Sequence, residues 1–265
     1  MRSRRRRDIT FYRPMTIPMR LLLFLLIPLR GFAAEPPPRA VVVDIAAPRY
    51  LATTLNGIPL QCVTFDSRSH FLKVLDQPDG PGTLWADCQA AGQSVKGLAA
   101  INAGYFTPQG SPLGFVIASG RKAGGNNASS LGSAVWYESN GRSAIVRREK
   151  TSFKALQLIQ AGPLLAENSR EIKGLDAVKN SARCFIAWDG GSNWMIARSS
   201  PCSLAQLSHA LAGANPAGFP IHCAMNLDGG RSAEIYVSQA IGGGPVFNRP
   251  IWNNPVRNFL VLQAR

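Results

Sequence analysis

One run of the sequence combines residue types that carry chemistry: residues 223–237 read Cys-Ala-Met-Asn-Leu-Asp-Gly-Gly-Arg-Ser-Ala-Glu-Ile-Tyr-Val. An apolar strand ends in Asn226-Leu227-Asp228, a double glycine permits a tight turn, and a second β-rich stretch follows. This turn presents a carboxylate, suited to acid–base or nucleophilic catalysis, where a polar substrate can bind. Asp189-Gly190-Gly191 repeats the triplet Asp-Gly-Gly within a predicted hairpin. The alternative is therefore that Asp228-Gly229-Gly230 is a purely structural turn.

A second stretch, residues 100–106, ends another apolar strand with Asn102 and the aromatic residues Tyr105 and Phe106. The amide of Asn102 can bind hydroxyl or phosphate oxygens, and the alternative is a turn with core aromatics. Three further runs combine apolar residues with glycine, arginine or asparagine: Gln160-Ala161-Gly162-Pro163-Leu164-Leu165, Ser181-Ala182-Arg183-Cys184-Phe185-Ile186-Ala187 and Pro255-Val256-Arg257-Asn258-Phe259-Leu260-Val261.

The common catalytic templates are absent from the sequence. It contains no G-x-S-x-G, no G-x-x-x-x-G-K-[ST], no H-E-x-x-H and no calcium loop of spaced acids. The five cysteines include no C-x-x-C pair and there are only three histidines, so zinc ligation has no support. The sequence identifies no cofactor. Use of a divalent cation is an open alternative that no residue pattern supports.

The formal net charge of +14 by itself suggests a nucleic-acid or membrane-surface partner. Half of that charge lies in residues 1–34, which hold eight arginines and one acid. The rest of the basic excess is spread over the chain without a cluster or interleaved aromatics. We therefore expect no nucleic-acid partner.

The arginine-rich segment predicts an export signal. Basic residues up to Arg20 precede an apolar run over 21–29, too short to span a bilayer, and Gly31 and Ala33 suit cleavage. An uncleaved membrane anchor stays open, as does a start at one of two later methionines, Met15 or Met19.

This signal sets the expected domain organisation. We expect a signal peptide over residues 1–34, a Pro-rich linker over 35–39 and a single domain over 40–265. The mature chain has no predicted transmembrane segment. The expected location is the periplasm, the cell envelope or the medium.

Most of that domain is predicted to be strands. Residues 184–188 and 194–197 flank an Asp-Gly turn, which predicts a hairpin. Other β-rich runs bounded by turn residues are 40–45, 61–65, 113–117, 134–137, 144–146 and 259–262. The fold class is therefore α+β, a single β-dominated domain of mixed sheets with a few flanking helices.

One helix is well marked. Ser203 and Gln206 form a capping box, Gly213 closes the helix, and three leucines share a face: Leu204, Leu207 and Leu211. A second helix is predicted around residues 152–156. Cys202 and Cys223 flank the first helix and are the preferred disulfide, with buried reduced cysteines as the alternative.

Taken in order, these motifs carry a family resemblance. The sequence resembles the phosphodiester glycosidase family from about Ala99 to the C-terminus. The shared elements are Asn-Ala-Gly-Tyr-Phe, a Leu-Gly strand, Gly-Pro-Leu-Leu, an arginine before a hairpin, Asn-Leu-Asp-Gly-Gly-x-Ser and an arginine before the last strand. Asn-Leu-Asp-Gly-Gly-x-Ser is the most specific of them.

The resemblance implies a set of site residues. It implies that the catalytic residues are Asp228, Arg183 and Asn102, and that the substrate-binding residues are Asn226, Gly229, Gly230, Ser232 and Arg257, with Gly162 as support. An arginine fork suits a phosphate, the carboxylate suits catalysis, and the Gly229–Gly230 amides suit an anion nest. No second carboxylate is identified, and the acids nearest in sequence are Glu234, Asp189 and Glu167.

Two departures from the family pattern stand out. Arg231 replaces a third glycine that many relatives have, which indicates a narrower or more cationic substrate entrance. Cys184 follows the motif arginine, Arg183, at a position where relatives have a small or polar residue. A reactive thiol at this position is therefore an alternative that the sequence does not exclude.

The resemblance implies an exported hydrolase that cleaves a sugar-1-phosphodiester. The expected substrate is a sugar phosphate or anionic glycan, such as an N-acetylhexosamine-1-phosphodiester or a cell-envelope glycopolymer. The alternatives are a non-catalytic envelope module that binds anionic glycans and a structural exported domain, because a fold does not fix a function.

Overall fold

The computed structural model describes residues 47–151 and 154–265. Helix α1 (Cys88–Ser94) follows the third strand of this part of the chain, and helix α2 (Leu204–Leu211) follows the thirteenth. In chain order the strands are β1 (Arg49–Leu55), β2 (Ile58–Asp66), β3 (His70–Asp76), β4 (Ala99–Asn102), β5 (Val116–Ala118), β6 (Arg121–Ala123), β7 (Ala134–Ser139), β8 (Arg142–Arg147), β9 (Gln157–Ala161), β10 (Leu164–Glu167), β11 (Arg170–Glu171), β12 (Cys184–Trp188), β13 (Asn193–Ser199), β14 (Cys223–Asn226), β15 (Ile235–Val237), β16 (Val246–Asn248) and β17 (Asn258–Ala264).

The strands form three sheets. A seven-stranded sheet has the order β1-β2-β13-β12-β14-β10-β11, and two five-stranded sheets have the orders β16-β15-β4-β17-β3 and β6-β5-β9-β7-β8. All pairings between neighbouring strands of these sheets are antiparallel. The β-dominated α+β class is confirmed, with antiparallel sheets in place of mixed ones. No helix between residue 47 and the C-terminus, residues 152–153 aside, is long and apolar enough to cross a membrane.

Alternation of side chains along the strands sorts them into separate cores. In β12, Phe185 and Ala187 face the core that contains Leu207 and Leu211 of α2, whereas Ile186 faces the large core shared by the three sheets. Helix α1 covers one face of the second sheet. The seven-stranded sheet is therefore covered on both faces.

The two best-marked predictions are confirmed. Strands β12 and β13 form the hairpin, whose turn is closed when Asp189 Oδ1 accepts a hydrogen bond from the Gly191 N–H at 2.7 Å. Helix α2 begins with the predicted capping box between Ser203 and Gln206. Both features depend on contacts within a few residues, which the sequence displays directly.

The predicted second helix is wrong where the structure describes it. Residues 154–156 are not helical, and the preceding segment forms only a 3₁₀ turn, Arg148–Lys150. Strand β5 also begins later than expected, at Val116. Several predictions lie outside the described residues: the signal peptide 1–34, the linker 35–39, the strand 40–45 and Ser152–Phe153 of the helix.

The preferred disulfide is wrong, because all five cysteines are buried and unpaired. Cys202 packs in the core under α2, whereas Cys223 of β14 packs in the core on the opposite face of the same sheet. A disulfide requires short separations and facing side chains, and two faces of one sheet do not provide them. The alternative, that the cysteines are buried and reduced, is the one observed.

Candidate active site

Asp228 follows strand β14 in a turn whose backbone is held from two sides. Its N–H donates to the carbonyl of Ala103 (2.9 Å), just after β4, and its carboxylate accepts hydrogen bonds from the Gly229 N–H (2.9 Å) and the Ser232 side chain. A 3₁₀ turn, Gly230–Ser232, follows. The half-buried carboxylate therefore lies where the seven-stranded sheet meets the second sheet.

Burial raises the pKa of the Asp228 carboxyl to about 6. The hydrogen bonds from Ser232 and Gly229 and the charge of Lys179 act in the opposite direction and do not offset the burial. A carboxyl group that titrates near neutral pH can exchange protons during a reaction. Burial also raises the pKa of the Glu234 carboxyl, to about 8, but that carboxylate pairs with Arg249, which leaves Asp228 as the candidate catalytic group.

Asn102, at the end of β4, braces this turn. Its Nδ2 donates to the backbone carbonyl of Asp228 at 2.7 Å, and its Oδ1 accepts from the backbone N–H of Glu234 at 3.1 Å. The side chain is fully buried. Asn102 therefore ties both ends of the segment 228–234 to the second sheet.

Asn226, the last residue of β14, is linked to Tyr105. Asn226 Nδ2 donates to the Tyr105 hydroxyl (2.7 Å), to the Leu227 carbonyl (2.7 Å) and to the Gly162 carbonyl (3.2 Å). The Tyr105 hydroxyl lies 2.9 Å from the same Gly162 carbonyl, to which it donates. Three motifs distant in sequence thus meet around one amide and one phenol.

Two glycines are required here by close packing. A Cβ on Gly229 would approach the Ala182 carbonyl to 2.7 Å, and one on Gly162, whose φ is +156°, would approach the Ser130 carbonyl to 2.8 Å. Backbone atoms cannot move aside cheaply at such distances. The glycines therefore allow neighbouring chains to pack against the Asp228 turn.

Arg183, just before β12, lies beside this turn with its Cδ 3.7 Å from the position of a Gly229 Cβ. Its Nε donates to the Cys202 carbonyl (3.1 Å) and its Nη2 donates to the Lys179 carbonyl (2.6 Å). In the described part of the chain Nη1 has no partner. The guanidinium is thus fixed by two carbonyls and retains one nitrogen for a ligand.

The predicted anion nest is not formed. The Gly229 N–H donates to the carboxylate of Asp228, and the Gly230 N–H donates to the Ala182 carbonyl at 2.8 Å. Both amides are occupied by the protein itself. These hydrogen bonds hold the turn, and the Ser232 side chain donates to the Asp228 carboxylate.

Arg257 is engaged by partners within the protein. It is 6% exposed, forms a two-point ion pair with Asp76 (2.8 and 3.1 Å) and donates to the Gly110 carbonyl (2.8 Å). Each of its three nitrogens is engaged, so the guanidinium is not open to a phosphate. Its ion pair with Asp76 links the start of β17 to the end of β3.

None of the three acids near in sequence supplies a second carboxylate beside Asp228. Asp189 closes the β12–β13 turn, Glu167 pairs with Arg147 at 2.6 Å, and Glu234 accepts from the Cys88 N–H and pairs with Arg249 at 2.9 Å. Their carboxylates are all directed to these structural partners.

Cys184 is not a reactive thiol. Its Sγ is fully buried within 3.8 Å of the Glu234 carbonyl, and burial raises the pKa of the thiol well above its usual range.

Across the described segments, no three His, Cys, Asp or Glu side chains are grouped to hold a metal ion. Five surface cavities of about 140–540 Å³ lie elsewhere on the molecule, since neither Asp228 nor Arg183 lines them.

Two groups near Asp228 were not predicted. Burial, followed by the Asp228 charge, raises the phenol pKa of Tyr105, and the Lys179 charge opposes in part the burial that raises the pKa of Asp228. Tyr105 belongs to the motif Asn-Ala-Gly-Tyr-Phe, and its place in that motif could have identified its hydroxyl as a group of the site. Lys179 lies in a connection without any pattern, so no sequence signal identified it.

The family model for phosphodiester glycosidases matches residues 96–263, more than half of the chain. This chain belongs to the phosphodiester glycosidase family. The match contains the five elements that form the site: β4, the Gly162 segment, Arg183, the Asp228 turn and the 3₁₀ turn after it. A search of curated protein sequences found no match.

Solved structures share the fold at low sequence identity. The catalytic domain of zebrafish N-acetylglucosamine-1-phosphodiester alpha-N-acetylglucosaminidase, auto-inhibited by its pro-peptide, is 17% identical with a TM-score of 0.56, over 82% of both chains. A hypothetical protein from Synechocystis is 17% identical with a TM-score of 0.55, over 82% of this chain and 61% of its own. A candidate exported protein from Burkholderia pseudomallei is 14% identical with a TM-score of 0.56, over 80% and 75%.

Proposed function

We propose that the protein is an exported hydrolase that cleaves a sugar-1-phosphodiester, either an N-acetylhexosamine-1-phosphodiester or a cell-envelope glycopolymer. The observation that carries the proposal is the Asp228 carboxyl, whose pKa burial raises to about 6, in a domain of the phosphodiester glycosidase family. Export is supported by the signal-like N-terminal sequence and by the structural neighbour described as a candidate exported protein.

The reaction breaks the bond between the anomeric carbon and the phosphate oxygen. One water adds across it, giving a sugar with a free anomeric hydroxyl and a phosphomonoester. Ordinary glycosidases use a second carboxyl group to protonate an alkoxide leaving group. A phosphomonoester leaves as an anion, since its second pKa is only about 6. A single carboxylate is therefore sufficient, which fits the lack of a second acid in contact with Asp228 among the described residues.

The proposed roles follow from the contacts. Asp228 in its ionised form is the base that accepts the proton of the attacking water. Ser232 and Gly229 orient that carboxylate by donating to it, and Asn102 fixes the backbone of the turn. Arg183, through its remaining nitrogen, contributes to binding of the phosphate.

The direct test is an assay of the purified chain on two substrates, an N-acetylglucosamine-1-phosphodiester and a teichoic-acid-like polymer. The expected result is release of free sugar and a phosphomonoester from at least one of them, detected by mass spectrometry. Saturable binding of the polymer without any product supports the non-catalytic module instead. No product and no binding with either compound contradicts the proposed function.

A further inference from the structure

The groups next to Asp228 include few cations that are free to bind a phosphate. Arg257 is saturated by Asp76 and the Gly110 carbonyl, and the Gly229 and Gly230 amides are occupied. Arg183 offers a single nitrogen, with its other two engaged by carbonyls. A phosphodiester carries a full negative charge, and charge-assisted contacts hold such a group most strongly.

The connection over residues 179–183 forms a wall of the Asp228 turn. The Ala182 carbonyl accepts from the Gly230 N–H at 2.8 Å and lies 2.7 Å from the position of a Gly229 Cβ. The Ser181 hydroxyl lies 4.0 Å from the position of a Gly230 Cβ. The Lys179 carbonyl accepts from Arg183 Nη2 at 2.6 Å. The backbone carbonyl of Lys179 is thus hydrogen-bonded to the guanidinium of Arg183, whose side chain passes beside Gly229.

The backbone of Lys179 is fixed on both sides. The Asp176 carboxylate accepts from the N–H groups of Val178 (2.8 Å) and Lys179 (3.2 Å), and the Asp176 carbonyl accepts from the Ala205 N–H (3.0 Å) of α2. On the other side, Ser181 and Cys202 exchange two backbone hydrogen bonds of 3.0 and 3.2 Å. Only the side chain of Lys179 remains adjustable.

The Lys179 side chain is exposed and, in the described part of the chain, forms no ion pair with an acid. Lys173, on the same connection, differs because it pairs with Glu171. Burial raises the pKa of the Asp228 carboxyl, and the Lys179 charge makes a small contribution in the opposite direction. The pKa of the exposed Asp176 carboxyl is lowered by backbone hydrogen bonds from Val178 and Lys179 and, to a smaller extent, by the same Lys179 charge. Lys179 is therefore a cation at the rim of the site that forms no salt bridge among the described residues and can bind an anion.

We propose that Lys179, together with the remaining nitrogen of Arg183, forms the subsite that binds the phosphate of a sugar-1-phosphodiester. This inference rests on the proposed function and adds a specificity-determining residue to it. The sugar then lies toward Asp228, and the phosphate bridges Lys179 and Arg183 on the side of the 179–183 connection.

The test compares Lys179→Gln with Lys179→Arg and with Lys173→Gln as the matched control. For Lys179→Gln we expect KM for the diester to rise about 10- to 100-fold, the effect of losing one charge-assisted contact. The acid limb of the pH profile should move to higher pH, because a positive charge near Asp228 is lost. Lys179→Arg should restore most of the affinity, and Lys173→Gln should behave as the wild type.

A second measurement separates failure of the subsite from failure of the function. Calorimetric binding of N-acetylglucosamine-1-phosphate does not require turnover, and about tenfold weaker binding by Lys179→Gln than by wild type supports the subsite. A wild-type enzyme that is active but unaffected by Lys179→Gln in both KM and binding overturns the subsite alone. Wild-type protein that neither binds this compound nor releases product contradicts both proposals.

Discussion

The chain contains the triplet Asp-Gly-Gly twice, and only one copy has surroundings suited to chemistry. The Asp189 carboxylate accepts from the backbone N–H groups of Gly191 (2.7 Å) and Asn193 (3.2 Å) and from Asn193 Nδ2 (2.8 Å). Its donors all come from the β12–β13 turn that it closes. The Asp189 copy therefore stabilises a local turn between two strands.

The Asp228 copy depends on partners that are far away in sequence. Its turn is held by Asn102 and Ala103, after β4, and by Ala182, before β12. The packing of these segments buries the carboxyl and raises its pKa to about 6. The triplet Asp-Gly-Gly therefore specifies a turn, whereas the segments packed around it determine whether the carboxyl is suited to catalysis.

The largest expected difference between the two copies is in activity. Asp228→Asn removes the proposed base, and kcat/KM should fall about 10³-fold. Asp189→Asn alters only a turn, and kcat/KM should stay within about threefold of wild type. Steady-state kinetics on the diester measure both. Comparable losses in the two variants would contradict the assignment of the base to Asp228.

The second difference is in pH-dependent stability. The pKa of Asp228 is higher in the folded than in the unfolded protein, so ionisation of Asp228 lowers the free energy of unfolding. This loss of stability grows from about pH 4 to about pH 6 and stays constant at higher pH. Asp228→Asn should therefore raise the free energy of unfolding by about 2–3 kcal/mol at pH 8 but not at pH 4. Urea denaturation at the two pH values checks this, and a gain of the same size at both pH values would exclude burial of the charge as its cause.

The third difference is steric. A Cβ at Gly229 would meet the Ala182 carbonyl at 2.7 Å, whereas one at Gly191 would meet Asp189 Oδ1 at 3.4 Å, an ordinary contact. Gly229→Ala should lower the free energy of unfolding by about 2 kcal/mol, and Gly191→Ala should change it by less than about 0.5 kcal/mol. Denaturant titration compares them. Equal effects would show that the 179–183 connection does not pack against the Asp228 turn as described.

The smallest expected effect is in the pH profile. The ionised form of Asp228 is the proposed base, so kcat/KM should rise about tenfold per pH unit up to about pH 6 and then level off. The charged or titratable groups near it are Lys179, Arg183, Tyr105 and Cys184. Asp189→Asn should leave this acid limb in place. A limb near pH 4 would mean that the carboxyl is not desolvated.

The parts of the fold that sequence predicted correctly are governed by local contacts. The capping box of Ser203 and Gln206 and the hairpin at Asp189 both use partners within four residues. The predicted helix around 152–156 had no comparable capping signal, and its described residues are irregular. The disulfide between Cys202 and Cys223 failed because their positions on opposite faces of a sheet depend on the tertiary fold.

The site shows the same division. The motif that contains Asn226 and Asp228 identified the turn, because both residues lie together in one run. The ion pair of Arg257 could not be predicted, since its partner Asp76 is remote in sequence. Lys179 was missed for a related reason: its proximity to Asp228 arises from tertiary packing of the 179–183 connection.

Hydrolysis in heavy-oxygen water, followed by mass spectrometry of both products, shows which bond the enzyme breaks. Cleavage at the anomeric carbon predicts label in the released sugar and none in the phosphomonoester. A control with unlabelled free sugar in the same water corrects for exchange at the anomeric hydroxyl, and the phosphomonoester gives the decisive reading. Label in the phosphomonoester would mean attack at phosphorus and would contradict a glycosidase acting through Asp228.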